Sequence, residues 1–118
     1  MTAKLTTHVL DTYHGKPASG VSWTLESEEP GGNWYQISAG ITNEDGRSSE
    51  AIITGEAIIT GTYRLTFDIA GYFSRMGVQL SDPPFLGNVV LQVNLVQGEA
   101  YHVPLLCSPW SYSTYRGS

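Results

Sequence analysis

The chain has 118 residues, which bounds it at one domain over residues 1–118 with one core, since domains commonly run ~100–150 residues. Six Lys and Arg against eleven Asp and Glu give a net charge of −5, and with no basic cluster anywhere that balance excludes a nucleic-acid binder. Charged residues are only 14% of the chain where ~25% is usual, which points to surface covered by other subunits, and no run approaches the ~20 apolar residues of a membrane span.

In chain order, Leu5-Thr6-Thr7-His8-Val9-Leu10-Asp11 alternates as a strand. Period two sets Leu5, Thr7 and Val9 on the core face and turns His8 away from it. Asp11 to Gly20 is rich in Gly, Pro and short polar residues and reads as a loop, with His14 expected to be a solvated side chain. Val21 to Glu26 alternates as a second strand, and Glu28 to Asn33 closes it in a Gly-rich tip. Trp34 to Thr42 is a third strand, leading into Asn43-Glu44-Asp45-Gly46, where Asp-Gly favours a tight reversal that fixes the position of Arg47.

Ala51 to Gly61 offers only short apolar pairs and is expected to be a short strand or irregular edge. Gly61 to Asp68 alternates Tyr63, Leu65 and Phe67 against Thr62, Arg64 and Thr66, a strand on which Arg64 should be solvated. Ala70 to Gly77 breaks that alternation and fits one or two helical turns stopped by Gly77. Gly87 to Leu95 is a further strand, and Gln97-Gly98 turns the chain into a terminal pair. In the first of that pair Tyr101, Val103, Leu105 and Cys107 share the core face, so His102, like His8, faces outward. Seven or eight short strands with one helical interruption argue for an all-β sandwich.

Cys107 is the single cysteine, so it has no internal partner, and its parity reads as a small buried hydrophobe. With no signal-like apolar run after Met1, the expected setting is a reducing one, the cytoplasm. A peroxisomal setting stays open for a eukaryotic source, although the last residues carry no peroxisomal signal. His8, His14 and His102 lack metal-ligand spacing, and no Gly-x-Ser-x-Gly elbow occurs, so no metal and no cofactor are assigned. What remains is imidazole beside guanidinium: a neutral His can take a proton from water and an Arg can hold a carbonyl-rich substrate.

Four motifs then carry a resemblance: Leu5-Thr6-Thr7-His8-Val9-Leu10-Asp11-Thr12, Gly15-Lys16-Pro17-Ala18, Asn43-Glu44-Asp45-Gly46-Arg47 and Tyr115-Arg116-Gly117-Ser118. Together they resemble the 5-hydroxyisourate hydrolases of the transthyretin-related protein family, over nearly the whole chain. The resemblance implies a transthyretin-like antiparallel β-sandwich of two four-stranded sheets with one short helix. It implies opening of the 5-hydroxyisourate ring at an amide bond to give 2-oxo-4-hydroxy-4-carboxy-5-ureidoimidazoline, in urate degradation. It also places His8, Arg47 and His102 on the family's catalytic positions, with Ser118 completing the set and Tyr115, Arg116 and Gly117 binding substrate. A homotetramer, a dimer of dimers with its sites between dimers, is implied as well. The rival expectation is a transthyretin-like carrier of a small hydrophobic ligand, against which His8, His102 and the terminal motif speak.

Overall fold

The structure, a computed structural model, describes residues 3–117. Ser118, assigned above to the catalytic set, lies outside the described residues.

In chain order the strands are β1 (Lys4–Thr6), β2 (Val9–Asp11), β3 (Lys16–Pro17), β4 (Ser22–Glu28), β5 (Trp34–Ile41), β6 (Ile53–Thr54), β7 (Gly61–Asp68), β8 (Asn88–Leu95), β9 (Ala100–His102), β10 (Leu105–Cys107) and β11 (Tyr112–Thr114). One helix, α1 (Ile69–Arg75), follows β7. A single 3-10 turn, Gly55–Ala57, follows β6, so the stretch with no clear period is the irregular edge that its composition suggested.

One face of the sandwich is the antiparallel sheet β5-β4-β7-β8. Its alternating strands turn Trp23, Leu25, Tyr63, Leu65, Phe67, Val89 and Leu91 inward. The opposing layer is built around the first and last long runs of the chain. β1 lies parallel to β9, with Thr6 opposite His102, and β2 continues the same register along β10, with Val9 opposite Leu105. The join persists between them: Val103 N–H donates to the Thr6 carbonyl and Leu105 N–H to the His8 carbonyl, both at 2.9 Å. Pro104, which has no N–H to give, sits at the interruption. β1 with β2 and β9 with β10 therefore act as two continuous strands. β11 pairs antiparallel with β10, while β6 and β3 pair on the other side with β1 and β2.

This layer is thus mixed rather than wholly antiparallel. Its two central strands enter from the same end, because the chain crosses the whole opposing sheet between them. The inward residues Leu5, Val9, Leu105 and Cys107 are buried, as the alternation required, and Thr7 joins them with its hydroxyl donating to the Val103 carbonyl at 2.7 Å. Each such aliphatic side chain contributes roughly 1.5–3 kcal/mol by leaving water. α1 starts where Asp68 accepts from Gly71 N–H at 3.0 Å, and it buries Ile69, Tyr72 and Phe73. It ends before Gly77, whose φ of 81° suits the glycine stop.

Two sequence expectations are corrected. His14 is not simply solvated: its Nδ1 lies 2.6 Å from Asp11 Oδ2, and its backbone N–H donates to Asp11 Oδ1 at 2.9 Å. Asp11 is buried and needs those donors together with the Tyr72 hydroxyl at 2.7 Å, a requirement that parity alone does not reveal. Arg64 is likewise engaged, its Nε 2.6 Å from Glu26 Oε1 and its guanidinium 4.3 Å from the centre of the Trp34 ring. Cross-strand register puts Glu26 directly opposite Arg64, which captures the charge that alternation had sent to water.

Candidate active site

The outer face of the mixed layer collects the outward side chains of its two continuous central strands. Parity on β1 and β2 presents Thr6, His8 and Leu10, and parity on β9 and β10 presents His102 and Leu106. The alternation that buries Leu5 and Tyr101 thus leaves both imidazoles half-buried on the opposite side.

Arg47 reaches this face through a turn. Asn43 Oδ1 accepts from the N–H groups of Asp45 and Arg47 at 2.9 and 3.1 Å, and the Asn43 N–H donates to the Arg47 carbonyl at 2.8 Å. Gly46 adopts a φ of 77°, open to glycine and strained for other residues, and its carbonyl accepts from Val9 N–H at 2.7 Å. A β-carbon at position 46 would run into the Val9 carbonyl oxygen. The turn is therefore stitched to the strand, and Arg47 becomes the bridge partner of His8.

The last described residues close the other side. His102 is bridged to Gly117, whose N–H donates to the His102 carbonyl at 2.7 Å, so the chain beyond β11 keeps the ladder's register. A β-carbon at Gly117 would stand 2.9 Å from His102 Cδ2 and 3.2 Å from its Cβ. Glycine there lets the backbone lie directly under the imidazole. An open groove of about 820 Å3 runs beside it, lined by Ala100, His102, Tyr115, Arg116 and Gly117 among others. A second groove of about 350 Å3 is lined by Thr6 and Arg47 with Ser48 to Ala51.

Burial pushes the His102 imidazole below its usual 6.5, and the positive charge of Arg47 and of protonated His8 pushes it the same way. At neutral pH it is therefore an uncharged base. The structure brings His8, Arg47, His102 and Gly117 together. Tyr115 stands exposed at the groove, and Arg116 lies along its wall: its guanidinium is 4.3 Å from the centre of the Tyr101 ring and 4.0 Å from Glu99, and Nη2 donates to the Ala100 carbonyl at 3.3 Å. Sequence reasoning missed Thr6, whose Oγ1 is 2.9 Å from His102 Nδ1, and Asn43, which organises the Arg47 turn. Thr6 was legible as the outward neighbour two residues before His8. Among the described residues, no three His, Cys, Asp or Glu side chains converge as a metal ligand set.

The sequence model of the family described as HIUase/Transthyretin matches residues 5–117. The chain belongs to the HIUase/Transthyretin family. Among its relatives in that family, the 5-hydroxyisourate hydrolase of Pseudomonas aeruginosa is 46% identical over 116 residues, covering 98% of this chain and 91% of that protein. The one from Deinococcus radiodurans is 47% identical over 115 residues, covering 97% and 95%. The transthyretin-like fold is shared with sea bream transthyretin in complex with thyroxine, at a TM-score of 0.88, 28% identity and coverage of 98% and 95%. Klebsiella pneumoniae 5-hydroxyisourate hydrolase gives 0.80, 29% identity and coverage of 98% and 100%. A crystal structure of (S)-allantoin synthase superposes at 0.91 with 38% identity; it covers 99% of this chain, which spans 44% of that longer one. No helix of the described residues is long and apolar enough to cross a membrane.

Proposed function

We propose that this single-domain chain hydrolyses 5-hydroxyisourate at the face that carries His8, Arg47 and His102. The chain is a hydrolase of the HIUase/Transthyretin family, with full-length relatives of that activity. The observation that carries the residue assignment is the environment of His102, an imidazole kept neutral beside a guanidinium and a second imidazole.

In the proposed reaction one imidazole takes a proton from water while the other orients that water. The oxygen bonds to the amide carbonyl carbon of the six-membered ring, and the carbonyl electron pair moves onto oxygen, where Arg47 balances the charge. Collapse of the tetrahedral adduct breaks the ring C–N bond. The departing nitrogen receives the proton from the imidazolium, and the new acid group is released as a carboxylate, giving 2-oxo-4-hydroxy-4-carboxy-5-ureidoimidazoline. No cofactor enters this sequence. Tyr115 and Gly117 bound the substrate's groove, and Ser118 is assigned with Arg116 to the terminal motif that completes it.

The same reading makes the protein a cytoplasmic homotetramer, a dimer of dimers whose imidazole faces meet. Leu10 and Leu106 beside the imidazoles, with Tyr115 59% exposed, support a covered face. Burial pushes the Cys107 thiol up to about 12, which makes it an inert core side chain with no part in the reaction.

The test is the decay of freshly generated 5-hydroxyisourate, corrected for its spontaneous reaction. The proposal expects a large acceleration at catalytic protein concentration. A ligand carrier of the transthyretin type would leave the decay rate unchanged, and that result would overturn the hydrolase reading.

A further inference from the structure

Thr6 and His102 face each other in register on the parallel strands β1 and β9, and that position gives the threonine hydroxyl two neighbours. Thr6 Oγ1 stands 2.9 Å from His102 Nδ1 and 3.4 Å from the Tyr101 carbonyl oxygen. A hydroxyl has one proton and two acceptor lone pairs, whereas a carbonyl can only accept. If Oγ1–H donated to Nδ1, the Tyr101 contact would hold no hydrogen. If Oγ1–H donates to Tyr101 and Nδ1–H donates to Oγ1, both contacts are hydrogen bonds. The second arrangement satisfies more polar groups at a half-buried site, and donor and acceptor then polarise one another along a short chain.

We propose that Thr6 is a positioning residue that locks His102 in its Nδ1–H tautomer, so that Nε2 is bare and His102 is the imidazole that takes the proton from water. This rests on the hydrolase reading for its catalytic consequence, but the tautomer itself is a property of the free protein. His8 has no such partner among the side-chain hydrogen bonds of the described residues, which leaves it the water-orienting role. Gly117 contributes from the other side, because its missing side chain lets the imidazole lie where Thr6 can reach it. When Nε2 takes the proton, the Nδ1–H to Oγ1 bond becomes charge-assisted, and Thr6 stabilises the imidazolium as it forms.

Two measurements test the assignment. In wild-type protein labelled with 15N at histidine, above the titration of His102, its Nδ1 should resonate as a protonated, pyrrole-type nitrogen and its Nε2 as a bare, pyridine-type one. In Thr6→Val, which keeps the branched shape and removes the hydroxyl, that preference should be lost. Its kcat should fall by on the order of tenfold to a hundredfold with KM little changed, the loss of one hydrogen bond to a developing charge. Thr6→Ser should restore both the spectrum and most of the rate. A pyridine-type Nδ1 in the wild type, or a Thr6→Val enzyme with unchanged kcat, would overturn the proposal. Failure of the hydrolase reading looks different: the wild type would then not accelerate 5-hydroxyisourate decay, while the nitrogen spectrum would still report on Thr6.

Discussion

At the scale of single residues, the site is a problem in proton affinity. In the proposed reaction His102 must be neutral to act, and burial, the Arg47 charge and the neighbouring His8 all push its pKa down. Since the folded-state value lies below 6.5, the unfolded chain binds this proton first as pH falls, so His102 removes stability below pH 6.5 and is neutral above it. The acid limb of the kcat/KM profile should accordingly fall below pH 6.5, and Arg47→Gln should move it upward by removing a repelling charge. A limb that stays in place in that variant, read from kcat/KM across pH 4.5 to 8, would separate Arg47 from His102. Asp11 belongs to a different network. Burial alone would raise its carboxyl, but the His14 backbone N–H, the Tyr72 hydroxyl and the His14 ring together hold it below the usual carboxylate range, which is structural work at the end of β2.

At the scale of elements, position comes from register. A parallel join of β1 with β9 brings Thr6 to His102, and an antiparallel continuation of β11 brings Gly117 beneath the same ring. The Asn43 turn does this for Arg47, and Gly46 is its weak point. Gly46→Ala should lower stability by about 1–3 kcal/mol for a left-handed non-glycine residue, seen as a lower urea midpoint, and should cost activity beyond that by withdrawing Arg47 from His8. A stable, fully active Gly46→Ala protein would contradict the turn's positioning role. Much of this was legible beforehand. Alternation named the core residues Leu5, Val9, Val103 and Leu105 and the outward imidazoles, and the Asp45-Gly46 pair marked the reversal before Arg47. Partners across strands were not legible. The Arg64 to Glu26 pair and the placement of Arg116 over Tyr101 depend on register between separate segments, which periodicity within one segment does not carry, and the His14 to Asp11 pair is a local turn contact to which strand alternation is blind.

At the scale of the whole molecule, β1 and β2 pair with β9 and β10, so residues from the two ends of the chain make one surface. That surface is open on one side in a single chain, and the proposed tetramer closes it. Deleting residues 115–118 removes the Gly117 bond to His102 and the Arg116 stack on Tyr101, yet leaves the residues of the sandwich core in place. The variant should remain folded by circular dichroism, with one backbone hydrogen bond's worth of stability lost, about 0.5–1.5 kcal/mol, and should lose most hydrolysis as water enters the site. Near-normal activity in the deletion variant would contradict the closed face. The most direct test of the imidazole face is the kcat/KM of His102→Ala on fresh 5-hydroxyisourate, measured against wild type with folding and assembly verified and the spontaneous decay subtracted. Loss of a positioned base predicts a fall of roughly 10²–10⁴-fold, whereas kinetics within a few-fold of wild type would contradict the claim that this face performs the reaction.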